Sequence, residues 1–203
     1  EMHTTLYLRL RELCLGEFRI DYATVIDEET GEPIQKQTIH FEAGDKSSTI
    51  DEIKSIMAEH PGEHFLVFTH SRKWAEKAAK DLGGKAYTGN QSISEKERLK
   101  DEFLAGDNRI LVGTSAMSEG LDGLQHVCYN AILASRFSKS HEVNQALGRV
   151  ARRGQKHAVN AWEIIREGTI DEGIVEKSVA RVLQNNLAKS VEKNRLDAQR
   201  KSA

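Results

Sequence analysis

Five short stretches of this chain are too short for helices and too apolar for loops. They are Phe65-Leu-Val-Phe68, Lys85-Ala-Tyr-Thr88, Arg109-Ile-Leu-Val-Gly-Thr114, Val127-Cys-Tyr-Asn-Ala-Ile-Leu-Ala134 and Ala158 to Ile165. The Phe65 run is apolar without alternation, so neither of its faces can lie in water. A strand of that kind needs cover on both sides, as in a parallel sheet with helices above and below. The intervening segments carry the helical period. Ser47-Ser-Thr-Ile-Asp51 caps a helix with a stripe of Ile50, Ile53, Ile56 and Met57, and Pro61-Gly62 stops it. Trp74, Ala78, Ala79 and Leu82 form the next stripe, closed by Gly83-Gly84. Ser94 is expected to cap a third helix, with Glu97 completing a capping box and Leu99 and Phe103 facing inward. Val143, Ala146, Leu147 and Val150 mark a fourth. The fold class is therefore α/β, a parallel sheet flanked by helices.

Both ends depart from this alternation. Leu10-Arg-Glu-Leu-Cys-Leu-Gly16 reads as a short helix closed by glycine. Residues 18–41 switch to a period of two around the turn Asp27-Glu-Glu-Thr-Gly31-Glu-Pro33, which predicts a β-hairpin inserted before the sheet. Thr169-Ile-Asp171-Glu172 opens a long helix with Ile174, Val175, Val179, Val182, Leu183, Leu187 and Val191 as its apolar positions. The expected division is residues 1–45 for the preceding helix and hairpin, 46–168 for the sheet domain, and 169–203 for the C-terminal helix and a polar tail.

The chemistry concentrates in Gln145-Ala-Leu-Gly148-Arg149-Val-Ala-Arg152-Arg153-Gly154-Gln155. Arg149 and Arg152 are three apart and would share a face on a helix. A guanidinium stays charged at any working pH and grips phosphate oxygens in pairs. An exposed basic helix end is the plain alternative. The run resembles motif VI of superfamily 2 helicases and translocases, and its form QxxGRxxRxGQ is most similar to that of Swi/Snf-type ATPases. The resemblance implies a RecA-like lobe in which Arg149 and Arg152 reach the γ-phosphate of ATP, with Gln145 and Gly148 beside them.

Upstream, Thr114-Ser-Ala-Met-Ser-Glu-Gly120-Leu-Asp122 resembles motif V of the same superfamily. By that resemblance Thr114 touches a nucleic-acid phosphate, and Gly120 and Asp122 lie near the nucleotide ribose. Taken alone, Asp122 reads as an ordinary turn residue. Met117-Ser118-Glu119 departs from the Ala-Gly-Gly usual in Swi/Snf-type proteins and leans toward other branches. The strand ending in Thr69-His70-Ser71 resembles motif IV, and Arg98 resembles an arginine carried at this place by Swi/Snf-type lobes. An ion-paired surface arginine is the more economical reading of Arg98. The carboxyl ends of parallel strands are where open α/β sheets bind ligands. They supply the candidate nucleic-acid contacts Thr69, His70, Thr88, Gly89 and Thr114, all of which would read backbone and not bases.

Two features are missing. No Gly-x-x-x-x-Gly-Lys-[Ser/Thr] loop occurs, and no strand ends in an Asp-Glu pair able to hold Mg²⁺. A P-loop enzyme needs both to hydrolyse ATP. The expected protein is thus the second lobe of a helicase or translocase. ATP with Mg²⁺ would be bound mainly by an N-terminal RecA-like lobe of a longer polypeptide, and DNA or RNA would be the track. A non-catalytic RecA-like binding module is the alternative. A Rossmann-type nucleotide enzyme is disfavoured because no Gly-x-Gly-x-x-Gly follows the first strand.

Charge bounds the mode of binding. With 29 basic and 31 acidic residues the formal net charge is −2, so no global field attracts nucleic acid. Contacts must come from local patches, such as Arg149 to Lys156 or the tail with Lys177, Arg181, Lys189, Lys193, Arg195, Arg200 and Lys201. Cys14 and Cys128 stand alone, which fits a reducing compartment and gives no metal site. No apolar run is long enough to span a membrane, and an intracellular location, cytoplasmic or nucleoid-associated, is expected.

Overall fold

The computed structural model describes residues 10–11, 13–16, 19–27, 31–40, 47–118, 121–135 and 140–173. Its centre is a parallel sheet of β3 (Phe65–Phe68), β4 (Lys85–Tyr87), β5 (Ile110–Gly113), β6 (Asn130–Leu133) and β7 (Asn160–Glu163), in the order β4-β5-β3-β6-β7. All four pairings are parallel. The chain leaves β3 toward one edge and returns, then crosses β3 to reach β6 and β7. That reversal puts a topological switch beside β3.

The alternation of side chains along each strand splits the interior in two. Leu66 and Phe68 of β3, Leu111 of β5 and Ala131 and Leu133 of β6 point to one face, where they meet Leu99 and Phe103 of α3 (Ile93–Ala105) and Ala146 of α4 (Ser140–Leu147). Phe65 and Val67, Val112 and Ile132 point to the other, against Ile50 and Ile53 of α1 (Ser48–Glu59) and Trp74, Ala75, Ala78 and Ala79 of α2 (Arg72–Asp81). Every residue of β3 and β6 is buried, as the apolar run of β3 requires, and the one polar member, Asn130, donates to Glu63 and the His64 carbonyl. Each large side chain so covered contributes about 1.5–3 kcal/mol.

Glycine permits two close approaches. A Cβ on Gly113 would stand 2.4 Å from the Tyr87 carbonyl oxygen, and one on Gly84 would stand 2.5 Å from that of Ile110. Gly113 thus lets β4 and β5 come together immediately before Thr114.

Before the sheet, β1 (Arg19–Ile26) and β2 (Pro33–His40) form the expected antiparallel hairpin. Residues 10–14 are helical apart from residue 12, which is not described, and Gly16 takes φ +76°. The C-terminal helix begins at Ile170, with the Thr169 hydroxyl accepting from the Asp171 amide. Its continuation beyond residue 173, including the basic tail, lies outside the described residues.

Three local expectations are corrected. Ser92, not Ser94, caps α3: its hydroxyl accepts from the Glu95 amide at 3.2 Å. The Gln91 side chain spans Ala86 O and the Thr88 amide, so the turn closes early and the helix starts at Ile93. Ser47 occupies the cap position of α1, but its hydroxyl donates to Leu15 O across 32 residues of sequence instead. Finally, α4 stops at Leu147, so Arg149 and Arg152 do not share the face of a regular helix. The chain instead runs through tighter bonds, Arg149 N to Ala146 O and Arg152 N to Val150 O.

Candidate functional site

The turn that ends α4 still brings the two arginines together. Val150 is wholly buried and plugs the turn into the core, which leaves Arg149 and Arg152 on its outer side. Both converge on Asp122, in the loop after β5. Arg152 Nη1 bonds the Asp122 carboxylate, and Arg149 Nη1 lies 3.5 Å from the same oxygen. Arg149 also donates to the Leu121 carbonyl at 3.3 Å. The Asp122 side chain is 69% exposed, so this cluster stands on an open rim and not in the interior. The Arg152 guanidinium, through its hydrogen bond and its charge, holds the Asp122 carboxyl below the usual range, with Arg149 and Lys100 adding to the effect. Arg149 Nε is buried with no partner among the described residues.

Gln155 is a residue whose role the spacing did not reveal. Its amide nitrogen donates to Cys128 O at 2.9 Å and Val150 O at 3.1 Å. Its amide oxygen accepts from the Lys156 and His157 backbone. It therefore ties the end of the arginine turn to the entry of β6. Gly154, at φ +98°, makes the reversal that delivers it there.

A second group forms at the carboxyl ends of β3 and β6. The Ser135 hydroxyl accepts from the His70 amide at 3.0 Å and lies 2.8 Å from His70 Nδ1. The same hydroxyl lies 3.5 Å from Thr69 Oγ1, to which it can donate, so Ser135 links both loop residues at the end of β3. His70 Nε2 is buried and without a partner among the described residues. Burial, aided by the Arg11 charge, pushes the His70 pKa down to about 3. Ser135 was not anticipated, because a lone serine after a strand carries no sequence signal.

The remaining candidates divide by exposure. Thr69 and Thr88 are buried, and Thr69 Oγ1 accepts from the Ser71 amide, so these threonines shape their loops and face away from solvent. Gly89 is exposed, and Thr114 and His70 are half-buried at the rim. Gln145 is exposed on α4, and Gly148 is half-buried in the turn that follows it. Gly120 lies outside the described residues. Arg98 pairs with Glu102 at 2.8 Å and is exposed, the economical reading given above.

The donor set suits the outer end of a polyphosphate: two guanidiniums beside one exposed carboxylate at an open edge. Among the described residues no three His, Cys, Asp or Glu side chains gather as a metal seat. Nor is any described helix long and apolar enough to cross a membrane.

A parallel sheet with this switch, covered by helices on both faces, is a RecA-like lobe, and the arginine pair and aspartate lie at its rim. The profile of the helicase conserved C-terminal domain matches residues 47–154, and the chain belongs to that family, as the C-terminal lobe of a superfamily 2 protein. The chain is 27% identical over 129 residues to the DNA 3'-5' translocase XPB2 of Sulfurisphaera tokodaii, covering 64% of this chain and 29% of that protein. It is 30% identical over 100 residues to the DNA 3'-5' helicase XPB of Mycobacterium tuberculosis, covering 49% and 18%. This chain thus matches less than a third of the length of either relative. Among solved structures, the C-terminal part of the Fun30 ATPase domain superposes with a TM-score of 0.58 at 23% identity, over 68% of this chain and 46% of that one, a likeness of fold.

Proposed function

We propose that this chain is the second motor lobe of an ATP-dependent DNA translocase or helicase, intracellular and inactive as an ATPase without a first lobe. The observation that carries the reading is the convergence of Arg149 and Arg152 on exposed Asp122. ATP with Mg²⁺, held mainly by the first lobe, supplies the transferable γ-phosphoryl group. Arg149 and Arg152 enter from this side and offset the charge that develops on its oxygens. Such a finger contributes roughly 10³–10⁵ in rate, about 4–7 kcal/mol of barrier.

Asp122 serves two purposes in this scheme. In the free lobe it is the counter-ion that keeps the guanidiniums together. With nucleotide in place, the phosphate replaces it as the arginines' partner, and the freed carboxylate can accept from the ribose hydroxyls. Gln145, exposed on α4, couples the phosphate side to the nucleic-acid side. Loss of the γ-phosphate removes the bond between lobes, and a cycle of such closures becomes movement.

The DNA backbone is met by His70, Gly89 and Thr114, with Thr69 and Thr88 holding the loops that present them. His70 Nε2 has no partner among the described residues, and a phosphate oxygen would supply one on binding. DNA is favoured over RNA because both named relatives act on DNA. In domain terms, residues 46–168 are the lobe proper, preceded by the hairpin unit of 1–45 and followed by a bracing helix in 169–203.

The test uses a polypeptide carrying both lobes. DNA-stimulated ATP hydrolysis should fall by roughly 10³-fold or more with Arg149→Ala or Arg152→Ala, while DNA binding persists. Unchanged hydrolysis in either variant removes the motor assignment and leaves the binding-module alternative.

A further inference from the structure

Two hollows open on the surface of the described residues, one of about 590 Å³ at the β7 edge and one of about 510 Å³ between α3 and the carboxyl ends of β4 and β5. The second is the informative one, because most of its lining lies outside the motifs. Its wall includes Tyr87, Gly89, Lys96, Lys100 and Leu121. Tyr87 is 4% exposed and forms the floor. Burial raises the pKa of its hydroxyl, which therefore keeps its proton as a donor. Lys96 Nζ stands 5.7 Å from the centre of that ring.

Lys96 and Lys100 are one turn apart on α3 and share the face that lines the hollow. Like charges at this spacing disfavour a helix. Neither lysine forms an ion pair among the described residues, although Lys100 adds its charge to the field on Asp122. The neighbouring charged pair on the same helix, Arg98 and Glu102, is matched and points elsewhere. Glu97 also borders the hollow, so its charged lining is two ammoniums and one carboxylate.

We infer that this hollow is a seat for a backbone phosphate of a nucleic-acid strand, gripped by Lys96 and Lys100 with the Tyr87 hydroxyl beneath. The inference rests on the nucleic-acid reading above and extends it to residues outside the motifs. Continuity favours a strand over an acidic protein surface: Gly89 both lines the hollow and belongs to the backbone-contact rim. Lysine and tyrosine are ordinary phosphate donors, and such contacts position a strand without reading its bases. Ile93, 78% exposed at the start of α3, offers an apolar contact to a sugar beside that phosphate.

The experiment titrates the 203-residue chain into a labelled DNA of about 20 nucleotides while salt is varied from about 50 to 200 mM. The double variant Lys96→Ala, Lys100→Ala should weaken binding roughly tenfold at the lower salt and flatten the log–log salt slope by about 1–2. Lys96→Arg with Lys100→Arg should restore both, Tyr87→Phe should weaken binding with the slope retained, and Glu97→Gln should tighten it. Lys54→Ala, on the opposite side of the sheet, is the control. If the double variant binds with the wild-type slope while Thr114→Ala weakens binding, this seat is refuted and the rim reading stands. If the wild-type chain does not bind DNA even at the lower salt, both readings fall. If inorganic phosphate or ATP at matched ionic strength fills the site and leaves DNA binding unchanged, the seat belongs to a free phosphate ligand and the strand assignment is overturned.

Discussion

Replacing Gln155 with alanine isolates the contact that holds the arginine turn against the sheet. The wild-type amide satisfies two carbonyls, Cys128 O and Val150 O. Val150 O keeps a bond from the Arg152 amide after truncation, whereas the Cys128 carbonyl has no other described partner. Cys128 and Val150 are both buried, at 1% and 0% exposure, so water reaches these oxygens poorly. A buried acceptor left unmade costs about 1–3 kcal/mol, and the weakened second one adds a fraction of that. The Lys156 and His157 amides are exposed and turn to water at little cost. The sum is about 2–3 kcal/mol, or roughly 5–10 °C in Tm for a domain of this size. Urea unfolding followed by circular dichroism measures it, with the slope confirming an unchanged transition. Gln155→Glu sharpens the test, because a carboxylate keeps the acceptor and loses both donations; it should destabilise at least as much as alanine. A ΔΔG within about 0.5 kcal/mol for either variant, the size typical of an exposed polar residue, would refute the assignment.

Two further outcomes follow from the geometry. Gly113→Ala forces β4 and β5 apart, since its Cβ would sit 2.4 Å from Tyr87 O; a loss of about 2–4 kcal/mol in urea unfolding is expected, and a neutral result contradicts the packing of that strand pair. His70 gives an acid dependence. Its folded pKa of about 3 lies below the ordinary 6.5, so between those values the unfolded chain binds the extra proton and stability falls as pH falls. From neutral pH to about pH 5 wild type should lose about 2 kcal/mol more than His70→Gln; equal losses in the two proteins contradict a buried, neutral imidazole.

Much of the architecture was legible because burial on both faces of a strand leaves an unmistakable apolar run. Phe65 to Phe68 could be read as a buried parallel strand before any coordinates, and Gly83-Gly84 marked the end of α2, whereas the Ser71 cap at its start emerged only with the structure. Strand ends were read too generously. Val127 to Tyr129 is apolar, yet Cys128 N bonds Leu124 O in a turn, so β6 begins only at Asn130. The Ser92 cap was hidden for a similar reason. Serines at 92 and 94 each precede a glutamate by three residues, and only the Gln91 bridge to Ala86 and Thr88 chooses between them.

By itself the sequence determined the order of strands and helices, the hairpin before them and the arginine-bearing run, because these depend on periodicity, capping and spacing among near neighbours. Tertiary structure alone decided that Arg149 and Arg152 meet Asp122 from the far side of a broken helix, that Ser135 orients the His70 ring, and that Gln155 closes the turn on β6. Each of those joins residues between 27 and 65 positions apart. Such pairings are set by how two faces of a sheet are packed, which no local pattern encodes.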